Sequence, residues 1–227
     1  MSGENYYSKR NLPHYYNSDY PIFFTFRLVE SYPVHLLLEL RKEFEKELSE
    51  NKNKYKDFGK NQFAKLEKEY FERFDSDLDR CVYGNNWLSD RRVADCLFEH
   101  LKSFDGIYYD LYSFTIMPNH VHIILKFIPD DKSFAVEKEL KLSTPARLNY
   151  YSRILMKLKG GSAFKCNKIL GRTGPFWQVE SYDHIINDND ELKNVINYIK
   201  NNPVKAGLCN PDQKWPHFYV NYDLLDY

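Results

Sequence analysis

The chain has 227 residues with 32 basic and 32 acidic side chains, so its formal net charge is zero. That length fits one large domain, or a domain with a sizeable insertion, and a hydrophobic content of 43% is ample for a core. Four scattered cysteines (Cys81, Cys96, Cys166, Cys209) form no Cys-x-x-Cys pair, which argues against a zinc knuckle or a disulfide framework and for reduced thiols in a cytosol. The N-terminus MSGENYYSKRNLPHYYNSDYP lacks the apolar centre of a signal peptide, and no apolar run reaches spanning length, so a cytoplasmic protein without a membrane is expected. Neutral net charge leaves nucleic acid open as a partner, because only the local distribution of charge matters there.

Residues 1 to 20 read as an aperiodic arm. The first strand is PIFFTFRLV, 21–29, with Phe24, Phe26 and Leu28 on one face and Phe23, Thr25 and Arg27 on the other. Helical spacing follows from Pro33 through Leu36, Leu37, Leu40, Phe44 and Leu48. A second helix starts near Gln62, and residues 75–90, DSDLDRCVYGNNWLSD, read as irregular. Ser89 or Asp90 caps a helix over about 91–103 with Val93, Leu97, Phe98 and Leu101 inward. Two strands, about 107–117 and 120–128, flank Pro118-Asn119. Between 138 and 172 the basic residues are Lys138, Lys141, Arg147, Arg153, Lys157, Lys159, Lys165, Lys168 and Arg172, against one acid, Glu139. Gly160-Gly161 is expected to split this stretch into two helices. A strand near Trp177 to Ile186 and a helix from Asp188 or Asp190, with acids in its first turn, complete the pattern.

His120 and His122 are the first candidate site. Side chains two apart on a strand share a face, so both imidazoles project together and make half a site for a divalent cation. The bland alternative is a pair of half-exposed histidines. Nucleotide hydrolases carrying His-x-His-x-His are disfavoured, because the third position is Ile124. On the last helix Asn194, Tyr198 and Asn202 repeat at four-residue spacing beside the apolar stripe Leu192, Val195, Ile196, Ile199. That is either a polar shoulder or a side facing the histidines, with Tyr198 as nucleophile and Asn202 as an oxygen ligand. Two imidazoles and an amide oxygen leave positions open for water and phosphate, which suits Mg²⁺ or Mn²⁺. The basic stretch, interleaved with Tyr150, Tyr151 and Phe164, is either a solvated face or a track for a phosphate backbone.

MPNHVHIIL, RTGPFWQVESYDHII and YIKNNPVKAGL, in this order, resemble the REP-associated tyrosine transposases of the single-tyrosine HUH superfamily; FFTFRLVES and NNWLSDRRVADCLFEHL add to the likeness, which covers about residues 21–210. The resemblance implies an α+β, ferredoxin-like antiparallel sheet with helices on one face. It implies His120, His122 and Asn202 as metal ligands and Tyr198 as the catalytic tyrosine, with Tyr182 as rival. Trp177, Gln178, Tyr182, Asp183 and His184 are similar to the family pattern without a fixed role. The chain departs from the pattern by a helical insertion at about 34–104 inside what is expected to be one domain, 1–227.

The expected activity is metal-dependent cleavage and transfer of single-stranded or hairpin DNA through a 5′-phosphotyrosine, by a monomer or homodimer at the nucleoid. DNA contacts are expected from Lys157, Lys159, Lys165, Lys168, Arg172, Trp177 and His184, with the basic residues near the mouth of the site. The alternatives are a hairpin-binding protein without chemistry and a metal-dependent phosphohydrolase.

Overall fold

The computed structural model describes residues 6–9, 13–16, 18–54, 59–129 and 150–225. The basic positions Lys138, Lys141 and Arg147 lie outside the described residues. Five strands form one antiparallel sheet: β3 (Ile22–Arg27), β4 (Tyr109–Ile116), β5 (His120–Phe127), β6 (Tyr182–Ile185) and β7 (Phe218–Val220), in the order β6-β3-β5-β4-β7. Leaving β7 aside, the fourth strand lies beside the first, then the third and the second, which is the ferredoxin-like order. β7, drawn from the aromatic tail, pairs with the outer edge of β4. It was not expected, because three residues are too few to show a period.

The alternation in β3 and β5 divides the core in two. Ile22, Phe24, Phe26, Val121, Ile123, Leu125 and Phe127 face α3 (Arg91–Lys102) and α4 (Tyr150–Ile169), which contribute Val93, Leu97, Leu101, Tyr151, Ile154 and Leu158. Phe23 and Ile124 face α2 (Lys60–Asp79) and α5 (Asn189–Lys205), which contribute Phe71, Leu192, Ile196 and Ile199. The pair α3 and α4 covers one face as expected, and α2 and α5 add a layer on the other. The reason is that Phe23 and Ile124 are as apolar as the first face and also need cover.

Three other expectations change. The N-terminal arm contains a hairpin, β1 (Tyr6–Lys9) with β2 (Pro13–Tyr16). α1 (Val34–Lys54) has no buried residue, so its leucine stripe is only half covered, chiefly by α2. Gly160-Gly161 does not break α4, which is continuous. A Cβ on Gly161 would stand 2.8 Å from Cε1 of His100. That imidazole is buried and held by the Leu158 carbonyl at 3.0 Å and Lys165 at 3.2 Å. The glycine therefore permits close packing of α3 on α4, whereas a Cβ on Gly160 would meet nothing.

That contrast is testable. Gly160→Ala should stabilise by about 0.5–1 kcal/mol, the cost of glycine in a helix interior. Gly161→Ala should destabilise by about 1–3 kcal/mol through overpacking. Urea midpoints moving the same way in both variants would contradict this account of the helix.

Candidate functional site

The site lies on the α2/α5 side of the sheet. Register brings Thr25 of β3 directly opposite His122 of β5, and their side chains meet, Oγ1 to Nδ1, at 2.9 Å. The face of Phe23 stacks on the same imidazole, with centroids 5.4 Å apart. His120 is set from the turn before it. Asn119 donates from Nδ2 to the Leu78 carbonyl at 3.1 Å, which orients its amide, so its Oδ1 accepts from Nδ1 of His120 at 2.6 Å. His120 thus carries its proton on Nδ1 and turns the Nε2 lone pair inward.

There it meets two more acceptors. Nε2 of His122 is 2.9 Å away and Oδ1 of Asp79 is 3.2 Å away; His122 and Asp79 are 3.4 Å apart. All three residues are buried, the histidines completely. Three lone pairs cannot face one another at these distances without positive charge between them. A proton on Nε2 of His122 is one solution, with Thr25 donating to Nδ1. A divalent cation is the other, with Thr25 accepting from Nδ1; a hydroxyl serves either tautomer. Ligands about 2.1 Å from an ion and at right angles to one another stand about 3.0 Å apart, so the triangle fits a cation held by Asp79, His120 and His122.

Asp79 was missed because residues 75–90 looked irregular. α2 instead runs to Asp79 and carries Asp75 and Asp79 one turn apart on one side. The signal present in the sequence was continuation of the apolar spacing from Phe71 through Phe74 to Leu78. Burial would raise the Asp79 carboxyl, but the two imidazoles beside it outweigh that and hold it well below the usual range. Burial and the neighbouring Asp79 push Asp75 well above that range. Burial, then His120, pulls His122 down to about 4.

Tyr198 and Asn202 come from α5 to the same place. The Tyr198 hydroxyl donates to Oδ2 of Asp75 and lies 3.3 Å from Oδ2 of Asp79. Burial and these two carboxylates raise its pKa far above that of a free phenol. Asn202 is fully buried, donates to Oδ1 of Asp79 at 3.1 Å, and leaves its own Oδ1 without a partner, as is Oδ1 of Asp75. A cavity of about 950 Å³ reaches Asp79 and Tyr198 from outside, between α2, α5 and β6. Tyr182 lines the same cavity, where its ring stacks on Phe71.

The expected DNA-binding residues divide. His184 lines the cavity and bonds Glu191 at 2.7 Å. Trp177 is a core residue, 8% exposed, with Nε1 bonded to Ser162. The basic residues of α4 are not at the mouth of the site, because α4 packs on the opposite face of the sheet. Several are also engaged. Lys159 holds the Gln178 and Val179 carbonyls and Ser181, Lys165 meets His100, and Lys157 lies over Tyr108. Beyond α4, Arg172 bonds the Pro175 carbonyl and covers Trp87; Lys168 is exposed. The cations that line the cavity are Lys68, Arg80 and Lys205.

No protein-family model matches the chain. A Haemophilus influenzae chain, described by inference as a REP-associated tyrosine transposase, is 24% identical over 142 residues, 59% of this chain and 76% of that one. The chain is also similar to a solved REP-associated tyrosine transposase bound to a REP hairpin, at 14% identity and a TM-score of 0.47, over 92% of this chain and 82% of that one. The motif resemblance is thus matched by a curated relative.

Two measurements check the site. Mn²⁺ titrated calorimetrically should bind at one site per chain, and Asp79→Ala and His120→Ala should each weaken it at least tenfold. Unchanged binding in either would remove that residue from the triangle. In the metal-free protein, His122 should stay neutral well below pH 6. Unfolded, it takes its proton at about 6.5; folded, at about 4. The unfolded state holds more protons between those values, so this group lowers stability as pH falls through that window. A His122 Cε1–H resonance titrating near 6.5 would contradict the burial argument.

Proposed function

We propose that the chain is a metal-dependent DNA endonuclease and strand transferase. It acts on single-stranded or hairpin DNA through a 5′-phosphotyrosine link to Tyr198. The observation that carries this reading is a buried cation-sized triangle of Asp79, His120 and His122 beside a tyrosine hydroxyl at the end of an open cavity. The motifs and the curated relative support the same reaction class. A half-exposed histidine pair without a role does not account for three buried acceptors facing one another.

Asp79, His120 and His122 would hold the ion, and the unpartnered Oδ1 of Asn202 is a further candidate oxygen. Nitrogen donors in this set suit Mn²⁺ better than Mg²⁺, which prefers oxygen alone. When bound, the ion neutralises charge on the phosphate oxygens. The protein's own groups do the rest. In its ionised form Asp75 accepts the Tyr198 proton through the hydrogen bond it already makes, and its raised pKa then makes it a stronger base than an exposed aspartate. The Tyr198 oxygen forms a bond to phosphorus as the P–O3′ bond breaks. The leaving O3′ takes the electron pair and a proton from solvent, and Asp75 later returns its own proton to solvent. The ester keeps the phosphodiester's energy, so a 3′-hydroxyl can reverse the step and join strands.

Residues 1–227 would act as one unit, because the inserted α2 supplies Asp75 and Asp79 to a site otherwise built on β5 and α5. The chain would work in the cytoplasm at the nucleoid as a monomer or homodimer.

The test is a denaturing gel with labelled hairpin DNA and Mn²⁺. Wild type should give a covalent adduct, and so should Tyr182→Phe. Tyr198→Phe and His120→Ala should give none while still binding DNA. An adduct retained in Tyr198→Phe and lost in Tyr182→Phe would move the nucleophile to Tyr182. Binding without any adduct in wild type would favour a hairpin-binding protein, and cut DNA without an adduct a phosphohydrolase.

A further inference from the structure

Three cations line the cavity, and they are not equivalent. Lys68 lies 3.9 Å from Glu72, and Arg80 lies 3.9 Å from Asp77. Lys205 has no carboxylate partner within ion-pair distance among the described residues, and its Nζ stands 4.9 Å from the centre of the Tyr198 ring. Two turns of α5 separate them, so they share one side of the helix. Pro203 is buried within that last stretch, and α5 continues past it to Lys205. The side chain is exposed to the cavity. The opposite, N-terminal end of α5 lines the same cavity with Asp188, Asp190 and Glu191, which repel a phosphate. An incoming phosphodiester therefore finds one unpaired cation beside the nucleophile.

We infer that Lys205 binds the scissile phosphate: its ammonium takes a non-bridging oxygen on the cavity side of Tyr198, away from the Asp79–His120–His122 triangle. This rests on the reading of Tyr198 as the nucleophile. An ammonium on a flexible stem acts as a movable point charge, and a contact with an aromatic face is weak enough to exchange for a phosphate. Lys205 neither gives nor takes a proton. It offsets the charge that gathers on the phosphate oxygens as the Tyr198 oxygen bonds to phosphorus and O3′ leaves.

The experiment measures adduct formation under single-turnover conditions, hairpin-DNA affinity at one fixed salt, and Mn²⁺ affinity, for wild type, Lys205→Met, Lys205→Arg and Lys68→Met. Lys205→Met should slow adduct formation by about 10²-fold. Its DNA affinity should change by less than about threefold, since one phosphate among several is lost, and Mn²⁺ affinity should not change. Lys205→Arg should recover most of the rate, and Lys68→Met should stay near wild type. A Lys205→Met rate equal to wild type would overturn the inference. So would a loss shared equally by DNA or Mn²⁺ affinity, which would mark a general or structural effect, and so would failure of arginine to restore the rate. An active wild type with an unaffected Lys205→Met defeats the lysine assignment alone, whereas an inactive wild type defeats the reading of Tyr198 and the lysine with it.

Discussion

Three acceptor atoms converge where only a positive charge can hold them together. Nε2 of His120, Nε2 of His122 and Oδ1 of Asp79 stand between 2.9 and 3.4 Å apart at the buried end of the cavity. Much of the surrounding structure serves that constraint. Asn119 is locked to the end of α2 so that it can orient His120. Thr25 is placed by strand register so that it can take either hydrogen-bonding role toward His122. Asn202 donates to the carboxylate and leaves an oxygen spare. A buried cluster of this kind is costly unless it is satisfied, and a divalent cation satisfies it most directly.

The inserted helices are therefore part of the site. α2 brings one carboxylate to the histidines and another to the Tyr198 hydroxyl. The two aspartates also differ in state: the imidazoles beside Asp79 outweigh its burial and keep it ionised, while burial and the charge of Asp79 push Asp75 toward holding a proton. One turn of helix thus presents two carboxylates with opposite shifts set by environment.

The sheet also separates two roles. Its α3/α4 face is a dense core, with Gly161 allowing close approach to His100 and Trp177 tied down by Ser162. Its α2/α5 face is polar at one end and opens to the cavity. Residues that look alike in composition fall on different sides: the lysines of α4 steady loops and rings, while Lys205 overlooks the tyrosine.

What the sequence determined by itself was local or periodic. Alternation in 21–29 and 120–128 placed both histidines on one face, and Asp90 and the acids near 188–191 marked helix starts that hydrogen bonds to Arg92 and Glu191 complete. The four-residue spacing put Tyr198 and Asn202 on one side of a helix. Only the tertiary structure decided the rest. Whether the Asn202 side met the histidines, that Asp75 and Asp79 would reach Tyr198 and Asn202 from an insertion more than a hundred residues before α5, and which face of the sheet the basic helix would cover all depend on contacts between segments distant in sequence. Periodicity says which side chains share a face; it carries no information about what that face is packed against. Asp79 therefore looked like a loop residue, and Lys159 like a phosphate contact, until packing assigned one to the triangle and the other to a pair of backbone carbonyls.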